Sequence, residues 1–130
     1  MSNQILKLSV TSPHYDDIGS IVEALGMKVD VVSDGSNGTD ADVLFVNCGT
    51  SMGEMNLRSF VEKGGVLYVS DLACDDLEKH FPEFVSFSKT GSPGNVKAEV
   101  VDQDLSNFLD VKSLVINFDM DAWANIQIKS

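Results

Sequence analysis

The chain has 130 residues, 43% hydrophobic and 22% charged, a composition that suits a globular domain able to bury a core without disulfides or metal. Twenty acidic residues against nine basic ones leave a formal net charge of -11, so the long-range field repels nucleic-acid backbones and anionic membrane surfaces. Cys48 and Cys74 offer no disulfide framework, ILKLSV is too short for a signal-peptide core, and no run reaches membrane-spanning length, so a cytoplasmic protein with neither nucleic-acid nor membrane partners is expected.

Ile5 to Val10 (ILKLSV) reads as a first strand, broken by Thr11-Ser12-Pro13. Ile18, Ile21, Val22 and Leu25 then recur at helical spacing. Ser12 suits the N-cap, Pro13 the first helical position, Asp16 and Asp17 the positive end of the dipole, and Gly26 the stop. Lys28 to Val32 reads as a second strand, followed by a solvated loop, SDGSNGTDAD. Val43 to Asn47 (VLFVN) is apolar until its last residue, as in a parallel strand covered on both faces. Ser51 and Glu54 have capping-box spacing ahead of an apolar stripe, Leu57, Phe60 and Val61, which Gly64-Gly65 end. Val66 to Ser70 (VLYVS) is the next buried strand, and DLACDDLEKHF a short helix closed by Pro82.

From Glu83 the pattern changes. SKTGSPGN is a turn-rich loop, Val96 to Val101 a strand, DLSNFL a helical turn, and Ser113 to Phe118 and Asn125 to Ile128 further strands, too close together for helical crossovers throughout. The expected fold is α/β, one domain over residues 1–130: a three-layer, flavodoxin-like, mostly parallel sheet with a mixed or antiparallel C-terminal extension.

VLFVNCG and LRSFVEKGGVLYVSD, within the first 80 residues or so, resemble the class I glutamine amidotransferase-like superfamily, in particular its non-catalytic and trehalose-utilisation-like branches. The resemblance implies that Asn47, Cys48 and Gly49 match the element contributing oxyanion-hole amides, and that Val69-Ser70-Asp71 match the centre of a nucleophile elbow. Here the family's cysteine is replaced by Ser70, and the elbow glycines by Tyr68 and Leu72. The family's catalytic histidine lies in the C-terminal part, yet only His14 and His80 are present. No triad assembles from the matching positions.

Other chemistries find less support. Ser70 with His80 as base, oriented by Asp71 or Asp75, would make a hydrolase, but His80 falls on the helix leaving the strand, where a surface histidine is the simpler reading. Cys48 ends a strand where amide dipoles lower a thiol pKa, although a core cysteine is commoner; Cys74 is assigned to packing. The pairs Asp16/Asp17, Asp75/Asp76 and Asp119/Asp121 lack metal-site spacing. A receiver domain would need an acidic residue where Asn47 or Cys48 stands. TSPHYDD has no glycine and two carboxylates, which disfavours a phosphate loop. Phe108, Phe118 and Trp123 suit core or edge packing.

The expectation is therefore a non-catalytic protein-interaction or ligand-binding module with no cofactor and no metal. Its contact surface would be the strand C-terminal crevice of Ser12, Asn47, Gly49, Ser70 and Asp71. The partner would be another protein or a second copy, a small molecule being possible. Alternatives are a small hydrolase or thiol enzyme using Ser70 or Cys48, and a subunit of a homo-oligomer with edge-paired C-terminal strands.

Overall fold

The computed structural model describes residues 5–33, 36, 38–89, 91–119 and 123–129. Asp121 and parts of the loops SDGSNGTDAD and SKTGSPGN lie outside them. The chain has two compact units, one running to Ser88 and resuming at Ile126, the other Lys89–Asn125.

In the first unit, β1 (Leu8–Thr11), β2 (Asp30–Val32), β3 (Val43–Val46) and β4 (Val66–Val69) form an all-parallel sheet in the order β2-β1-β3-β4. β1 is central and pairs on both sides, Val10 with Val31 and Phe45, while Phe45 pairs with Tyr68. The register sorts the side chains by face. On one face α1 (Ile18–Ala24) lays Ile18 and Val22 against Leu8 and Val10. On the other, α2 (Leu57–Glu62) contributes Leu57 to a cluster with Leu44, Val46, Met52, Met55 and Ala73.

A helix of two turns cannot cover four strands, so on the α1 face the edge residues Val31, Val66 and Tyr68 remain exposed. The same shortness leaves Ile21 and Leu25 of the predicted stripe exposed, and only Ile18 and Val22 pack. Two predicted caps are corrected. Asp17, rather than Ser12, caps α1 by accepting the Ser20 N–H at 3.1 Å, because Ser12 to Asp16 are drawn into contacts with the β3 tip. Asn56 caps α2 through the Ser59 N–H, whereas Ser51 is turned to Asp76.

After β4 a 3-10 turn, Asp71–Ala73, leads into α3 (Cys74–His80). β5 (Val85–Ser88), which the sequence did not reveal, pairs with β8 (Asn125–Ile128) in a two-stranded sheet of its own. In the second unit β6 (Gly94–Glu99) and β7 (Ser113–Phe118) are antiparallel, with α4 (Gln103–Leu109) between them in sequence. The predicted C-terminal extension of the main sheet is thus replaced by separate small sheets, since β6 and β7 satisfy one another's backbone over six paired positions. Phe118 stacks on Trp123, whose indole N–H reaches Ser92 O at 2.9 Å. Phe108, by contrast, is 85% exposed and packs in no core. No helix among the described residues is long and apolar enough to cross a membrane.

Candidate functional site

The C-terminal ends of β1, β3 and β4 are tied together by polar side chains. Asn47, just past β3, is fully buried. Its Nδ2 donates to Thr11 O at 2.8 Å and Ser12 O at 3.3 Å, and its Oδ1 accepts the Ile18 N–H at 2.9 Å. Its own N–H donates to Thr11 Oγ1 at 2.8 Å. Thr50 Oγ1 donates to Asn47 O and lies 2.6 Å from Thr11 Oγ1; with its one proton committed, it receives the proton of Thr11. The side chain and N–H of Asn47 therefore hold the start of α1 and the β1 tip to β3, while its carbonyl is taken by Thr50.

Asp16 is the second tie. Oδ1 accepts the Cys48 N–H at 2.7 Å, and Oδ2 accepts the Ser70 hydroxyl at 2.5 Å. The neighbouring Tyr15 N–H donates to Cys48 O at 3.2 Å. One carboxylate on the β1 loop thus joins the residues following β3 and β4.

The expected crevice residues all lie at this end of the strands. Ser12 supplies a carbonyl, and Asn47 is internal scaffold rather than lining. Gly49 is exposed at φ +83 beside Tyr15 and His14. Ser70 and Asp71 are half-buried. Ser70 is extended (φ -99, ψ 128), and the left-handed residue at the strand-to-helix turn is Asp71, at φ 32. The sharp turn therefore falls one residue beyond the position that the resemblance gives to a nucleophile.

Cys48 is buried, and burial pushes its thiol pKa up; the nearby carboxylates Asp71 and Asp16 push the same way, against a backbone hydrogen bond from Leu72. This reverses the lowering expected from amide dipoles, because removal of a thiolate from water outweighs the local dipoles. Cys74 is buried, as its assignment to packing anticipated. His80 is half-buried rather than a surface residue, with Nε2 enclosed and unpartnered among the described residues. Neither His80 nor His14 hydrogen-bonds to Ser70, whose hydroxyl goes to Asp16.

Of the acidic pairs, Asp17 caps a helix, while buried Asp76 accepts the Ser51 hydroxyl at 2.7 Å and the Met52 N–H at 3.0 Å. Among the described residues no three His, Cys, Asp or Glu side chains come together to hold a metal ion. A concavity of about 480 Å³ lies at the opposite end of the strands, lined by Asp40, Asp42, Asn56, Ser59, Phe60 and Lys63.

The chain matches no family model, no curated protein and no solved structure. The site rests on its own geometry. Sequence reasoning missed Thr11, Thr50 and the role of Asp16. The available signal was the pair Asp16-Asp17 ahead of one helix: a single side chain serves the cap, which leaves the other for a different task.

Proposed function

We propose that the protein is a non-catalytic binding module on a three-layer, flavodoxin-like and amidotransferase-like frame, acting in the cytoplasm through contact with another protein. The strand order β2-β1-β3-β4, with α1 against one face and α2 against the other, agrees with the first four strands of the flavodoxin-like order, whose ligand crevice opens between β1 and β3.

The observation that carries the reading is the engagement of Ser70 Oγ and the Cys48 N–H by Asp16. A hydrolase built on Ser70 needs a base free to take its proton and an amide free to receive an oxyanion. Here one carboxylate uses both groups. A protein partner is favoured by the second unit, where no aliphatic or aromatic side chain is buried among the described residues, and where Val101, Phe108 and Val115 are 91%, 85% and 71% exposed. Apolar surface of this kind is stabilised by contact with a partner.

Co-purification from the native source, with mass spectrometry, tests the proposal. The expected result is a companion retained by the native chain and lost with Phe108→Asp combined with Val115→Asp. Turnover of an amide or ester that disappears on Ser70→Ala would overturn it.

One observation favours a second reading, a small hydrolase, since the Ser70 hydroxyl donates to a carboxylate that stands where a base would. Rapid labelling of Ser70 by a fluorophosphonate at neutral pH would establish that alternative; no labelling retires it.

A further inference from the structure

Two donors converge in the crevice from different strands. The Cys48 N–H, after β3, points to Asp16 Oδ1 at 2.7 Å, and the Ser70 hydroxyl, after β4, points to Oδ2 at 2.5 Å. One donor to each oxygen of a planar group is the geometry of a carboxylate receptor.

The backbone that carries each donor is positioned without help from Asp16. Cys48 follows Asn47, whose polar groups are all fixed, and the Ser70 N–H is anchored on Val46 O at 3.0 Å. The carboxylate arrives on a separate segment, the loop between β1 and α1. No lysine or arginine hydrogen-bonds to Asp16 among the described residues, so these two neutral donors carry its recognition.

We propose that Asp16 is an internal ligand occupying an anion seat, an autoinhibitory contact that closes the crevice to carboxylates and oxyanions from solution. The proposal rests on reading this crevice as a ligand site of the binding module. A tethered ligand acts at an effective concentration in the millimolar range or above. A free carboxylate also meets the charge of Asp71, which lies close enough to act on Cys48. The loop is held to β3 on either side of Asp16, through Tyr15 and Ile18, so the seat accepts an external anion only when the Asp16 side chain leaves it.

Chemical complementation tests the assignment. Thermal melting of Asp16→Gly is followed in sodium formate against sodium chloride of equal ionic strength, beside the native chain. The expected result is a saturable rise of about 5 °C at ten times the dissociation constant in the variant and none in the native chain. Equal responses in the two proteins, or no response in either, overturn it.

If Asp16→Gly is unfolded in buffer, formate but not chloride restores its circular dichroism, and failure to do so counts against the seat. Asp16→Asn keeps the shape and removes the charge, so it moves the Cys48 amide proton upfield; an unmoved resonance likewise overturns the assignment. Partner capture is a separate readout. A formate failure with capture intact removes only the internal ligand, while formate rescue in a protein that captures nothing removes only the binding-module reading.

Discussion

Asn47 and Thr11 are joined by two hydrogen bonds in which Asn47 is the donor, Asn47 N–H to Thr11 Oγ1 and Asn47 Nδ2 to Thr11 O, both 2.8 Å. Replacing Asn47 by Ala leaves the Thr11 carbonyl and the Ile18 N–H without their partner in a buried position. Each orphaned group costs about 1–3 kcal/mol. The expected loss in urea denaturation is about 2–6 kcal/mol, and an unchanged midpoint would remove Asn47 from its place as the tie.

Gly49 has φ +83, and a Cβ there would stand 2.6 Å from the Tyr15 ring. Tyr15 is 65% exposed, so the ring can swing aside and the backbone conformation sets the cost. Gly49→Ala is expected to destabilise by about 1–2 kcal/mol. The same loss should appear in a Tyr15→Ala background, as a double-mutant cycle of melting temperatures would show.

Burial first, then Asp71 and Asp16, hold the Cys48 thiol above its ordinary value of 9.0. The native state keeps a proton that the unfolded chain has released, so this group's contribution to stability falls as pH rises past that value. At neutral pH iodoacetamide should label Cys48 at least about tenfold more slowly in the native chain than in urea. Mass spectrometry of timed aliquots reads the rate, and fast native labelling would contradict the burial.

Glu83 is the acceptor of an Arg58 hydrogen bond that lowers its pKa below the ordinary 4.5. A depressed carboxyl adds stability above its unfolded value and loses it as pH falls through the folded one. Glu83→Gln should therefore flatten the acid side of the stability profile and leave the alkaline side unchanged. Arg58→Ala is a poorer probe. Arg58 also donates to His80 O at 3.0 Å and lies over the Phe81 ring, so its removal mixes charge with packing.

Strand positions were legible where apolar runs were closed by polar residues, as Asn47 closes VLFV and Ser70 closes VLYV. VLFV and VLYV became β3 and β4, and Ser113–Phe118 and Asn125–Ile128 were located to the residue. Caps were less legible, since Ser12 and Ser51 have the right chemistry but are claimed by partners distant in sequence, as at Ser51 and Asp76. Among the crevice residues, Asn47 and Ser70 stood out by breaking apolar runs. The tie of Ser70 to Asp16 spans 54 positions, and no local pattern encodes such a pairing. β5 escaped notice because VSFS, unlike VLFV and VLYV, offers no continuous apolar run.

The central place of β1 sets a schedule for synthesis. Ser9 finds its partners at Asp30 and Leu44, so β1 leaves the ribosome before either of the strands that flank it. A nascent chain halted before β3 carries an open, apolar strand edge, the usual template for aggregation. Cells that make this protein should show chaperones engaging it early and releasing it once VLFV has emerged.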